Sequence, residues 1–286
     1  RAAAIEQLEQ RGIIRPSTSL GDEMGYDFAH DIVRQVVYAQ LSEPRRQLVH
    51  LQIAQKLNQQ LQQQQNDDLA SDIAHHAALG GDRALAVSAA LTAAERGLKL
   101  FAYAEALELA QLGIGECQAL DPQNRVLFHA RLLRICVWAG MKGDRATDIE
   151  KDAHRLIDEA KTLGLNEAES ILLASLLLLN FHRGNFTAVH QHSLEVAEAS
   201  QYNSAGISAQ MLAYSGTCLA EISRDMARAE ALLLEAQSQA ARVGLELCDI
   251  YGGLGVVHRH YGRYSEARSL LQQSLRLARA EQDHWR

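Results

Sequence analysis

Proline is scarce, with 3 residues among 286. Proline inside a helix costs about 3 kcal/mol, so its rarity leaves long stretches free to be helical. Aromatic residues are only 5% of the chain, and runs of β-branched residues are few. Little is left with which to build a sheet. Positive charge is in deficit, at 28 Lys and Arg against 35 Asp and Glu, a net −7. A phosphate-binding surface needs a basic stripe, so this segment is not expected to bind nucleic acid directly. The cysteines Cys117, Cys136, Cys218 and Cys248 form no C-x-x-C pair. They read as isolated small hydrophobes on helices in a reducing compartment. The longest apolar run, Ile171 to Leu179, is far below the roughly 20 residues of a membrane span. No signal peptide is visible, so a cytoplasmic location without a membrane partner is expected.

What the chain has is Ala and Leu, which supply most of its 47% hydrophobic content. Both are strong helix formers, because Ala has no side-chain entropy to lose and Leu loses little. It also has a repeat. Ala160-Lys161-Thr162-Leu163-Gly164-Leu165 and Ala240-Ala241-Arg242-Val243-Gly244-Leu245 are alike. The interval from Gly164 to Gly244 divides into two steps of about 40 residues, a length that suits a helical-hairpin repeat. The same step lands on Asn124, Ser204 and His284. A Gly or Asn there can stop a helix by taking the left-handed conformation cheaply. Each unit has an internal turn: Gly143-Asp144, Gly184-Asn185, Arg224-Asp225 and Gly262-Arg263.

The clearest unit reads Tyr251-x-x-Leu254-Gly255-x-x-His258, then Tyr261-Gly262-Arg263-Tyr264-Ser265-Glu266-Ala267 and Leu271. This resembles the tetratricopeptide repeat, with small Gly255 and Ala267 where two antiparallel helices approach. His258 stands where a Tyr is usual, Leu271 where an aromatic is, and the period exceeds the usual one. Phe101-Ala102-Tyr103-Ala104-Glu105-Ala106-Leu107 and Gly80-Gly81-Asp82-Arg83-Ala84-Leu85-Ala86 give the same turn-into-helix signature at half that spacing, as successive single helices would. The expectation is an all-α solenoid of helical hairpins, a tetratricopeptide-like superhelix, over residues 69–286. A hairpin cannot bury its apolar face alone, so stacked neighbours form the core and leave a concave surface free. Arg1 is not Met, and Asp283-His284-Trp285-Arg286 reads as the opening of another helix, so the chain is expected to be a fragment whose repeats continue.

Residues 1–65 differ. Ala2 to Gln10 has a helical pattern, Gly12 to Pro16 is extended, and Ser17 to Gly25 is a polar turn. Tyr26-Asp27-Phe28 alternates as a strand does. Asp31 to Leu41 is helical again, and Ser42-Glu43-Pro44 opens a helix running to about Gln64. The outline is that of a small winged-helix-like segment with a linking helix. The Gln-rich Gln59 to Gln65, followed by Asn66-Asp67-Asp68, reads as a solvated helix end and linker.

The segment Tyr26-Asp27-Phe28-Ala29-His30-Asp31-Ile32-Val33-Arg34, with Val37-Tyr38, Leu41, Arg45-Arg46, Leu48, His50, Ile53-Ala54 and Leu57, resembles a recurring part of the STAND signalling ATPases. That family includes LuxR-type and maltose-activator-like transcription regulators. Ala29-His30-Asp31 sits where related immune receptors carry Met-His-Asp, whose His touches the phosphates of bound ADP. The resemblance implies a nucleotide-sensing role for His30 and ATP or ADP as a cofactor of the parent protein. The chain itself has no G-x-x-x-x-G-K-[ST] loop, so no cofactor is expected in it. Gly252-Gly253-Leu254-Gly255 lies within a helical pattern with no preceding strand and reads as close helix packing.

Metal and catalytic patterns are weak. His75-His76 are adjacent, while His190 and His192, like His258 and His260, are two apart; no His makes the i, i+4 pair that chelates zinc from one helix face. No G-x-S-x-G elbow occurs, and Glu167 and Glu169 suit a helix start rather than acid–base work. No metal site and no catalytic residue are expected. The tetratricopeptide resemblance implies that the first helix of each hairpin lines the concave groove. Projected at the repeat period, it nominates Arg131, Arg134, Trp138, Phe181, His182, Tyr214, Glu221, Asp249, Arg259 and His260 for partner binding. Aromatics with Arg are good hot-spot chemistry, although Trp138, Phe181 and Tyr214 could equally pack between helices.

The reading is thus a non-catalytic sensor or scaffold region of a STAND-type regulator. It binds a protein or peptide on the concave face and works by differential affinity for two states. The alternative is a small-molecule inducer receptor, with Arg134, Trp138 and His182 as polar lining. Self-association through the repeats is a further option for such a surface.

Overall fold

The computed structural model describes residues 2–17, 25–64, 67–140 and 144–280. Within them lie two strands and fourteen α-helices. The first unit is α1 (Ala2–Gln10), β1 (Ile14–Ser17), β2 (Gly25–Phe28) and α2 (Asp31–Gln40). β1 and β2 pair antiparallel, Ile14 opposite Phe28 and Ser17 opposite Gly25. Then follow α3 (Glu43–Gln64), α4 (Ala70–Gly80), α5 (Arg83–Lys99), α6 (Tyr103–Glu116), α7 (Pro122–Trp138) and α8 (Asp144–Leu163). The series ends with α9 (Asn166–His182), α10 (Phe186–Ser200), α11 (Ala205–Glu221), α12 (Met226–Arg242), α13 (Cys248–His260) and α14 (Tyr264–Ala280). Gly143, His284 and Trp285 of the sequence analysis lie outside the described residues.

From α3 onward each helix packs on the next, and α5, α7, α9, α11 and α13 also pack in series on one another. The chain is an all-α helical repeat solenoid, with one row of inner helices and one of outer partners. The inner helices α7, α9, α11 and α13 start at residues 122, 166, 205 and 248, steps of 44, 39 and 43. The period read from the sequence is therefore an average over hairpins of unequal length.

The repeat glycines act as their chemistry requires. Gly164 and Gly244 have φ of 68° and 67°. After each, a backbone N–H turns back to the last helical turn: Leu165 to Ala160 O at 2.9 Å and Leu245 to Ala240 O at 3.0 Å. This closes the orphan carbonyls of α8 and α12 in the same way. The turn residues supply N-caps. Asn185 accepts from the Ala188 N–H, Asp225 from Arg228 and Asp82 from Leu85, and each such cap is worth about 1 kcal/mol. Asn124 differs from its expected place between helices. It lies in the first turn of α7, where its N–H and side chain both bond Asp121, because Asp121-Pro122 is the stronger start signal.

α9 is the centre of the molecule. Every residue from Ala168 through Asn180 except Glu169 is buried, including four successive leucines, Leu176 to Leu179. Its Ser170 and Ser175 survive burial because each hydroxyl donates to a carbonyl one turn back. At the other end of the row, Gly253 of α13 lies against Thr217 and Leu233, and Gly255 lies against Leu271 of α14. The glycine cluster is thus a close-packing device. α3, read from sequence as a link, pairs antiparallel with α4. An added Cβ on Gly80 would sit 2.6 Å from the Leu51 backbone nitrogen, and Ala54, Ala77 and Ala86 form a small core there.

Candidate functional site on the inner helices

α7 shows how the inner face is built. His129 on this helix lies 2.8 Å from Asp152 of α8, and Leu133 and Cys136 follow on the same side. Arg131, Arg134 and Trp138 stand about 140–200° around the helix from His129, on the face turned away from α8. On α11 the outer contact is Gly216 against Leu233 of α12, and Tyr214, Cys218 and Glu221 take the opposite side. The two stripes meet. The rings of Trp138 and Tyr214 lie 6.4 Å apart at 46°, joining the helices that flank α9.

Arg131 is half-buried and pairs with Glu95 of α5 at 3.1 Å. This extends the row to a helix that sequence reasoning left out. Ser88, Thr92 and Glu95 form its polar edge, the two hydroxyls donating to carbonyls of their own helix. Their i, i+4, i+7 spacing on an Ala-rich helix was a readable signal. It was missed because residues 84–106 looked like single helices rather than an inner member of the row.

The other nominated residues fall into three groups. Tyr214, Glu221 and Asp249 gather around Cys218, whose thiol is pushed up to about 12 by burial and then by the charges of Asp249 and Glu221. The Asp249 carbonyl accepts from Thr217 Oγ1 at 3.0 Å, tying α13 to α11. Phe181 and His182 end α9. Phe181 packs against the main core and His182 is exposed, at the helix C-terminus where a cationic ring is favoured. Arg259 and His260 are exposed at the end of α13, and His260 meets the Tyr261 ring edge-to-face at 5.8 Å between centroids. Arg259 is one turn beyond Gly255, which lies against Leu271 of α14, so it stands about 40° around the helix from that contact.

His30 is the N-cap residue of α2, in extended conformation, and its exposed ring makes no capping bond. Asp31 beside it is engaged within α2. It accepts from Arg34 at 2.7 Å and Gln35 at 2.6 Å, and the Arg34 bond holds its carboxyl below the usual range.

Burial likewise pushes the thiols of Cys117 and Cys136 up to about 12. Such groups stay protonated at neutral pH and are poor nucleophiles. Among the described residues no group of three or more His, Cys, Asp or Glu is placed to hold a metal ion. Nor is any described helix long and apolar enough to cross a membrane. A cleft of about 590 Å³ opens between α6, α7 and α8, floored by Ile114, Leu133, Cys136 and Ile149 and rimmed by charges of both signs, Arg145, Lys151 and Arg155 with Asp148 and Asp152. None of the nominated binding residues lines it.

No protein-family model matches the chain. No curated protein matches it either. Among solved structures, the crystal structure of BtubC (BKLC) from P. vanneervenii aligns with a TM-score of 0.50 at 14% identity. The alignment covers 86% of this chain and 94% of that chain. What the two share is a helical fold.

Proposed function

We propose that the chain is a non-catalytic binding region of a STAND-type signalling regulator, and that it holds a protein or peptide partner along its inner helices. The observation that carries this reading is the continuous row Glu95–Arg131 and Trp138–Tyr214, on the faces turned away from the outer helices. Aromatic and Arg side chains on a rigid helical scaffold are suited to anchor a partner without reordering. His30 supports the regulatory part. Its outward ring is available to a nucleotide phosphate held elsewhere in the parent, as the family resemblance implies, and the rest of that nucleotide site is not in this chain. A partner that favours one of two states of the parent would then shift its on/off balance.

The test is selection of displayed peptides on the immobilised chain. Enriched peptides should lose at least about tenfold in affinity, roughly 1.4 kcal/mol, with Arg131→Glu and Trp138→Ala. They should be indifferent to Glu235→Ala on α12. Equal loss from the outer substitution would count against the inner face.

The inducer-receptor reading takes support from the α6–α7–α8 cleft, whose apolar floor and charged polar rim are the ingredients of a small-molecule site. Thermal-shift screening against sugars and nucleotides separates the two, with Leu133→Trp as the blocking variant.

A further inference from the structure

Three side chains from three helices form a relay where the first unit meets the solenoid. The Tyr38 hydroxyl of α2 lies 2.8 Å from His50 Nε2 of α3. His50 Nδ1 lies 2.7 Å from His76 Nδ1 of α4. His50 is buried, and its ring is tilted against that of His76 at 4.9 Å between centroids. Two Nδ1 atoms at that separation share one proton, so one ring must donate and the other accept.

Little else holds α2 in place. None of its residues is buried, and its packing partner is β2. Beyond the relay, the joint is made by Arg46. Its guanidinium donates to the Leu41 and Ala39 carbonyls at 3.0 and 3.3 Å and lies over the Tyr38 ring at 5.3 Å.

We propose that Tyr38, His50 and His76 form a pH-sensitive latch that fixes the N-terminal α1–β1–β2–α2 unit on the solenoid, closed with no proton or one added to the pair and opened by the second. Proton placement gives the rule. With both rings neutral, Tyr38 O–H donates to His50 Nε2 and His50 Nδ1–H donates to His76 Nδ1. With one added proton, His50 becomes a cation that donates from both nitrogens, to Tyr38 O and His76 Nδ1, and the chain stays whole. With two, N–H faces N–H at 2.7 Å and the rings must part.

The surroundings favour release. His75 on α4 and Arg46 on α3 weigh against a second proton, Asp72 on α4 favours it, Glu43 on α3 lies 3.8 Å from Arg46 and offsets part of its charge, and α5 presents Ala86 there. Burial and then His50 hold the His76 pKa below its ordinary value, against the pull of Asp72. Folded His76 therefore takes up its proton less readily than in the unfolded chain as pH falls below about 6.5. Latch stability is full above that pH and is lost as pH falls through the lowered value.

The experiment is a spin-label distance measurement on the full chain. Val36→Cys and Leu79→Cys place labels at exposed positions across the joint, while the native cysteines are all buried. A second pair, Leu100→Cys and Leu234→Cys, reports on the solenoid alone. The joint distance should be narrow at about pH 8 and broad at about pH 5, with the solenoid pair unchanged. His76→Asn keeps an acceptor for His50 but cannot be protonated, so its joint distance should stay narrow at both pH values. Tyr38→Phe should broaden it at both. An unchanged joint distance in the parent protein, broadening in His76→Asn, or broadening of both label pairs together would each overturn the latch.

Discussion

α2 and α9 are both rich in apolar residues, and they meet opposite fates. α2 carries Ile32, Val36 and Val37, all exposed, and buries nothing. α9 carries a similar type of residue and is buried almost throughout, with helices on either side and the Trp138–Tyr214 contact spanning its neighbours. Apolar composition sets what a helix can bury. The number of neighbours that the topology supplies sets what it does bury, and hence where stability resides.

The sharpest way to break this comparison is truncation to alanine in each helix. Leu176→Ala in α9 should cost about 2–5 kcal/mol in denaturant unfolding, because the tightly packed centre cannot collapse around the cavity. Val36→Ala in α2 should stay within about 0.5 kcal/mol. Equal effects would mean that the two regions share one core.

Glycine replacements test packing from the other side. Gly80→Ala drives a methyl to 2.6 Å from the Leu51 backbone, and should cost about 1–3 kcal/mol by forcing α3 from α4. Gly115→Ala in α6 meets nothing within 4 Å. It should raise the unfolding midpoint by the equivalent of about 0.4–1 kcal/mol through lost freedom of the unfolded chain.

A pH series sharpens the view of the α7–α8 hairpin. Burial tends to raise the Asp152 pKa, yet His129 and Arg155 together hold it below 3.8. Its stabilisation is therefore present above that pH and lost as pH falls through the lowered value. Asp152→Asn should cost about 1–3 kcal/mol near neutrality, and the gap to the parent protein should close below pH 3.8. The smallest effect is chemical. With Cys117, Cys136 and Cys218 pushed up to about 12, alkylation at neutral pH should be slow when folded and complete in denaturant, as counted by mass spectrometry.

Much of the first 65 residues was legible because its signals are local. The extended run at Ile14, the alternation at Tyr26 to Phe28 and the start at Glu43-Pro44 each rest on a few adjacent residues, and β1, β2 and α3 lie there. Gly164 and Gly244 were legible for the same reason, since a left-handed helix stop is a property of one residue. Asn124 was not, because a rigid repeat step ignores variation in helix length. Projection of the hairpin repeat nominated Arg131, Arg134 and Trp138, but nothing local says that Trp138 meets Tyr214, far along the chain, or that Glu95 answers Arg131. His76 was dismissed with His75 as an adjacent pair, and its partner lies on another helix.

The sequence by itself determined that this chain is helical, where most helices start and stop, and that it repeats at a nearly regular interval, because propensity, caps and left-handed glycines act within a few residues. Only the tertiary structure decided that α9 lies at the centre, that α3 joins α4, and that Tyr38, His50 and His76 form one relay. Those facts depend on how unequal hairpins stack, and stacking angle and offset are set by contacts between residues far apart in the chain.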